Sequence, residues 1–390
     1  MLPRHAYIHV PFCARRCTYC DFAIAVRRVV PVDEYLDALR RELDMRWGAQ
    51  ARESSGEGAE PWTLDTLYFG GGTPSRLGAE GIARAIALVR EHATLAPDAE
   101  ITVEANPEDI SAEEARGLRA AGVNRVSLGV QSFHDETLAW MHRVHDASRA
   151  EGAVRELRAA GIANLSLDLI FALPGEAGAR SWERDVERAL ALEPAHVSLY
   201  GLTIEEGTPL GRARARGAVS EAAEERYEAD FLHAHAAMTA AGLEHYEVSN
   251  FGRLGLRSRH NSAYWRQVPY AGLGPGAHEL RAGGGEHHRR WNDGAYAGWV
   301  RSLGEGRDPV AGEERLSAEN RVSEEVYLGL RTREGLALRD GEADRVGRWV
   351  DAGWGTLTEG PGGTPTLRLT PLGWLRLDAL AADLTAFRSR

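Results

Sequence analysis

The chain has 390 residues, enough for two or three domains, and its 43 % apolar and 26 % charged residues are ordinary for a globular fold. Its net charge of −11, from 57 acidic against 46 basic residues, repels phosphate backbones and argues against a nucleic-acid binder. All 46 basic residues are arginine, which excludes chemistry that needs a lysine amine, such as a Schiff base or a P-loop lysine.

Met1–Val10 has no apolar signal core, and no stretch approaches the roughly 18 apolar residues of a membrane span. The expectation is a cytoplasmic protein without a transmembrane segment. Six segments then read as strands: Ala6–Phe12, Thr66–Phe69, Glu100–Asn106, Arg125–Ser132, Asn164–Leu173 and His196–Ile204. Helical patterns at Val32–Met45, Ala79–His92, Ala112–Ala121, Ser148–Ala160 and Ser181–Leu192 separate them. Ala121-Gly122 and Ala160-Gly161 read as helix C-caps. Strand–helix alternation predicts a parallel sheet with right-handed crossovers.

Several strands alternate in polarity where a fully covered parallel strand would be continuously apolar. Ile101, Val103 and Ala105 oppose Thr102, Glu104 and Asn106. Leu165, Leu167 and Leu169 oppose Asn164, Ser166 and Asp168. A closed eight-stranded barrel fills its interior with branched apolar side chains. A polar inner face instead predicts an α/β fold of the open, partial (β/α)6 TIM-like barrel kind, with a wet, roomy lumen.

The predicted organisation is a barrel over 1–204, an extension over 205–305 and a C-terminal winged-helix-like domain over 306–390. In the extension, Ser220–Ala241 reads as a helix, Glu244–Phe251 as a strand, and Gly272–Gly276 as a loop bordering the pocket. Ala51–Pro61, rich in Glu, Gly and Ser, reads as a surface insertion. From Ala311 onward short helices precede a hairpin around Pro361-Gly362-Gly363. Acidic residues slightly outnumber arginines there, which argues against DNA binding and for a cover over the barrel or a protein contact.

The chain's three cysteines, Cys13, Cys17 and Cys20, form C-x3-C-x2-C in the loop after the first strand. An odd, clustered set does not read as disulfides. Zinc would want a fourth ligand, and nearby His9 precedes the cluster on a strand. A 4Fe–4S cube held by three cysteines would leave one iron open to a small molecule. Arg15 and Arg16 are expected to lower the thiol pKa values. Gly70-Gly71-Gly72-Thr73-Pro74, after the second strand, permits close backbone approach to a ligand but has neither a G-x-G-x-x-G pattern nor a P-loop lysine.

Cys13-Ala14-Arg15-Arg16-Cys17-Thr18-Tyr19-Cys20 and Gly70–Pro74 together resemble the radical S-adenosylmethionine (SAM) superfamily, in which three cysteines hold a 4Fe–4S cluster and SAM chelates the open iron. More narrowly, Tyr7–Phe12, Tyr68–Ser75, Glu104–Pro107, Gly129–Phe133 and Asp168–Gly175 resemble the oxygen-independent coproporphyrinogen III dehydrogenases and the HemW-type heme chaperones. The resemblance implies that Tyr7, Tyr19, Gly71, Gly72, Thr73, Glu104, Gln131, Arg143 and Asp168 contact SAM. The dehydrogenases carry a fourth cysteine where this chain has Phe22, and an extension before the first strand. The chaperones carry H-N-x-x-Y-W, present here as His260-Asn261-Ser262-Ala263-Tyr264-Trp265.

The resemblance therefore implies a heme chaperone without coproporphyrinogen dehydrogenase activity. It would bind a 4Fe–4S cluster, SAM and heme, and pass heme to cytoplasmic or membrane-associated acceptors. His260 is the expected heme-iron ligand, with Tyr264 and Trp265 against the porphyrin. His278, His287 and His288 are reserves, the last two on an exposed loop. The alternative is a radical SAM oxidoreductase acting on a porphyrinogen.

Overall fold

A computed structural model describes residues 2–53, 62–174, 181–283 and 286–389. Most of the expected insertion, residues 54–61, lies outside these, as does Gly175.

Six strands and their helices follow one another as the alternation requires. The strands are β1 (His5–Val10), β2 (Thr63–Gly71), β3 (Thr94–Ala105), β4 (Arg125–Gln131), β5 (Asn164–Phe171) and β6 (His196–Gly201). All five β1–β6 neighbour pairs are parallel and adjacent in chain order, as in a β/α barrel. Caps fix the intervening helices. Ser111, Asp146 and Ser181 accept the first-turn N–H groups of Ala112–Ala120, Ala147–Ala159 and Trp182–Ala191. Gly122 and Gly161 leave two of these helices at φ 101° and 87°, where a Cβ would be strained.

The outer face of the sheet is the core. Phe69, Val103, Val126, Leu128, Leu167 and Val197 are fully buried under the helices. Each such side chain contributes about 1.5–3 kcal/mol relative to exposure. Thr66, Thr102, Ser166 and His196, on the opposite face, are fully buried as well. The lumen is thus polar as expected, but its lower part is not open. Ser166 Oγ meets His196 Nδ1 at 2.8 Å, and His196 Nε2 meets Tyr246 Oη at 2.8 Å. This chain of hydrogen bonds occupies part of the floor, as the cost of unpaired buried polar atoms favours, although Thr102 Oγ1 has no partner there.

The extension joins both edges of this sheet. Asn250–Gly252 pairs antiparallel with β6, and Glu244–Glu247 pairs with it in turn. The expected single strand is therefore a hairpin, turning at Val248-Ser249. On the other edge Tyr270–Leu273 lies parallel to β1, followed by His278–Gly283, Glu286–Asn292 and Val310–Arg315. Gly272 thus sits inside a strand, where a Cβ would come within 1.9 Å of the His278 carbonyl oxygen. Gly272–Gly276 does not border the C-terminal pocket. His287 and His288 belong to a paired strand, not an exposed loop.

The C-terminal elements run helix Ala318–Arg331, strand Leu336–Ala337, helix Glu342–Asp351, then the hairpin Gly355–Glu359 and Pro365–Leu369. This is the helix-then-hairpin order of a winged helix, with Leu377–Arg388 packed on its first helix. Trp374 ties it to the extension. Its Nε1 donates to Leu330 O, and its ring stands 4.4 Å edge-on from that of His245.

Candidate metal and cofactor centre

A cavity of about 400 Å³ opens at the C-terminal ends of the barrel strands, where barrel enzymes place their chemistry. Cys13, Cys17 and Cys20 all line it. Their loop is pinned where Phe12–Cys13 pairs with Ala25–Val26, and where Thr18 N–H reaches Met141 O. Burial pushes the Cys13 thiol up to about 11 and raises Cys20. The lowering expected of Arg15 and Arg16 is therefore not seen at Cys13 or Cys20: at Cys20 desolvation outweighs the charge of Arg16. The cation seated against a sulfur is Arg143, whose Nη1 lies 3.7 Å from Cys17 Sγ.

The glycine run is required by crowding. A Cβ on Gly72 would lie 2.6 Å from Pro11 O and 3.1 Å from Cys13 Sγ. One on Gly71, at φ 113°, would strike the His9 ring. Gly72 N–H donates to Val10 O, and Thr73 Oγ1 stands 3.4 Å from Cys13 Sγ. The loop after β2 therefore passes directly beside the cysteine loop.

Two carboxylates face the cavity from β3 and β5. Glu104 accepts from Tyr68 Oη at 2.8 Å and from Gly71 N–H at 3.0 Å. Burial pushes its carboxyl up to about 7, against those hydrogen bonds and with help from the charge of Asp168. Asp168 accepts from Ser127 Oγ at 3.0 Å and from Ser166 Oγ at 3.2 Å, and burial raises its pKa too. Such a pair favours a ligand that brings positive charge or hydroxyl donors.

Gln131 ends β4 at φ 65°, beside an irregularity in the β4–β5 ladder that turns it into the pocket. Arg143 crosses the floor: its Nη2 donates to Asn106 Oδ1 at 2.5 Å and Gly129 O at 2.9 Å, while its buried Nε has no partner.

Eleven of the thirteen expected site residues thus line one cavity: the three cysteines with Tyr19, Gly71, Gly72, Thr73, Glu104, Gln131, Arg143 and Asp168. Tyr7 and His260 do not line it. Tyr7 lies a layer below, its ring 6.0 Å from Tyr68. His260 is 1 % exposed, with Nδ1 2.6 Å from Thr66 Oγ1 and Nε2 2.7 Å from Tyr264 Oη. Its ring stacks on Tyr68 at 5.0 Å, and burial pushes its pKa down to about 3. As folded, His260 plugs the lumen floor and offers no free lone pair to an iron. His278, His287 and His288 also lie away from this cavity.

Asn106, Glu108, Ser127, His142 and Tyr200 line the pocket without having been singled out. Strand polarity places Asn106 on the inner face. Nothing in the sequence marked His142.

Among the described residues no three His, Cys, Asp or Glu side chains converge tightly enough for a single ion. His9, the near candidate for a fourth zinc ligand, has both ring nitrogens engaged, by Tyr7 Oη and Ala23 O. Three sulfurs spread around a cavity, beside two carboxylates and an unpaired arginine nitrogen, fit a 4Fe–4S cluster with SAM on its open iron better than tetrahedral zinc.

The fold and this centre define a radical SAM protein, and the radical SAM superfamily model matches residues 7–189. That family implies a 4Fe–4S cluster and SAM. The chain is 38 % identical to the heme chaperone HemW of Synechocystis, covering 80 % of this chain and 74 % of that protein. It is 41 % identical to the heme chaperone HemW of Mycobacterium tuberculosis, covering 80 % and 78 %. The chain belongs to the HemW heme-chaperone family. In fold it is similar to coproporphyrinogen III oxidase (HemN) of Escherichia coli, with a TM-score of 0.79 over 99 % of this chain and 90 % of that one, at 21 % identity.

Proposed function

We propose that this chain takes up heme and passes it to acceptor proteins in the cytoplasm or at a membrane surface, from a scaffold carrying a 4Fe–4S cluster on Cys13, Cys17 and Cys20 and SAM beside it. The observation that carries this reading is that the three sulfurs, the glycine run and both carboxylates line a single cavity.

When bound, the cluster supplies one-electron reduction of the SAM sulfonium. The chain's own groups hold SAM. Gly72 and Thr73 present backbone to its methionine end, with Gly71 and Tyr19 alongside. Arg143 pairs with its carboxylate. Glu104, Gln131 and Asp168 receive its ammonium and ribose hydroxyls. Tyr7 supports this wall from below, its ring against Gly70.

Phe22 favours chaperone over dehydrogenase, because it stands where the dehydrogenases carry a fourth cysteine. It is 61 % exposed at the pocket mouth, an apolar surface in place of a thiol. Heme ligation by His260 requires Tyr264 to release Nε2. Among the described residues no helix is long and apolar enough to cross a membrane, so a membrane-bound acceptor would be met from the surface.

The test is anaerobic work on the reconstituted chain. Iron and sulfide should be present, heme and SAM should bind, and coproporphyrinogen III should be left unchanged. Its turnover would overturn the chaperone reading. Zinc without iron would overturn the cluster.

A further inference from the structure

A protein that carries heme must hold its iron, and the histidine the motif points to is locked away. One imidazole in the pocket is free. His142 is the only histidine among the described residues that lines the cavity. It is exposed, and no side-chain hydrogen bond engages it among the described residues. The neighbouring histidines differ: His145 is buried, bonded to Glu108 Oε2 and Val130 O at 3.1 Å each.

The backbone at His142 has φ 61°, a left-handed conformation that glycine adopts freely and other residues only at a cost of about 1–2 kcal/mol. It is held there by the turn that ends helix Asp135–Trp140. His142 N–H donates to Ala139 O at 3.0 Å, and Arg143 N–H to Leu138 O at 2.8 Å. This turn sends Arg143 into the pocket floor and leaves the preceding imidazole at the rim.

Three large apolar side chains share the cavity lining with His142 and with the exposed, charged Arg15, Asp21 and Glu205. Phe22 is 61 % exposed, Val144 48 % and Tyr200 48 %, and all three line the cavity. Large apolar side chains left open at one cleft mark a binding surface. A flat macrocycle with a polarised centre and anionic edges matches this surface. The three side chains would pack against its face, His142 would reach its metal, and Arg15, exposed on the cysteine loop at the same cavity, would meet a carboxylate.

We infer that His142 is an axial ligand of a heme lying across the mouth of this pocket, a ring-nitrogen lone pair entering an open coordination position of the iron. This rests on the heme-chaperone reading above. The experiment titrates the full chain with heme and reads the Soret band, the low-spin EPR spectrum and affinity for the wild type, His142→Gly and His260→Gln. Glycine suits the backbone at this position, so His142→Gly should melt no lower than the wild type. It should bind heme roughly tenfold or more weakly and lose the histidine-ligated signature, which added imidazole restores. His260→Gln should keep that signature. If the wild type takes up no heme, the chaperone reading itself falls. If the wild type binds and His142→Gly retains its spectrum and affinity, the assignment to His142 falls while the chaperone reading stands.

Discussion

The guanidinium of Arg143 bridges two parts of the centre: Nη1 stands 3.7 Å from the Cys17 sulfur, and Nη2 donates to Asn106 Oδ1 at 2.5 Å. One side chain therefore links the cysteine loop to the residue that follows β3. Arg143→Met keeps the packing length and removes the charge. SAM affinity should fall by about 10- to 100-fold, measured by equilibrium dialysis against the reconstituted protein. Unchanged affinity would remove Arg143 from the SAM site.

The cluster has no spare thiolate, since the chain holds no cysteine beyond the three. Cys13→Ala should leave no full 4Fe–4S absorbance after anaerobic reconstitution. Cys17→Ala and Cys20→Ala should do the same. A wild-type spectrum and iron content in any one of them would show that its cysteine is not a ligand.

Glu104 links SAM binding to pH. Its carboxyl, raised to about 7 from an ordinary value of 4.5, binds a proton more tightly in the folded chain than in the unfolded one. Its contribution to stability is therefore intact below pH 4.5 and lost as pH rises through about 7. The loss is a few kcal/mol at most, reduced by water in the open cavity. A cationic ligand needs the ionised form, so SAM affinity should rise over the same interval. Glu104→Gln should make the SAM-free protein more stable at pH 8, flatten this dependence and weaken SAM binding. A variant equally stable at pH 8 with full SAM affinity contradicts this role.

His245 and His260 act with the opposite sign. Burial pushes each down to about 3 from an ordinary 6.5, so each is held neutral in the folded chain. Their contribution is present above pH 6.5 and lost as pH falls toward 3, by at most about 1.4 kcal/mol per pH unit for each ring. His260→Gln should cost about 1–3 kcal/mol at neutral pH, through the partners Thr66 and Tyr264. The gap from the wild type should narrow on acidification. Denaturant melts of both proteins from pH 7 to 5 check this, and a gap that widens would refute it.

The sequence alone determined the local and periodic features. Ser111, Asp146 and Ser181 start helices, and Gly122 and Gly161 end them, because capping depends on residues a few positions apart. The alternation of Leu165, Leu167 and Leu169 with Ser166 and Asp168 exposed a polar inner face, because side chains on a strand change sides at every residue. The cysteine and glycine motifs were legible because their spacing reflects one short loop each.

Only the tertiary structure decided what that polar face does. Asp168 meets the cavity while Ser166 and His196, on the same side, are sealed into the floor. Depth along a barrel depends on how neighbouring strands register, and no single strand records it. His260 looked like a ligand in its motif, yet Thr66, from a strand 194 residues away in sequence, takes one of its nitrogens. His142 carried no motif at all. Its place at the rim comes from a left-handed turn and from loops brought together around the cavity, contacts between distant residues that exist only once the chain has folded.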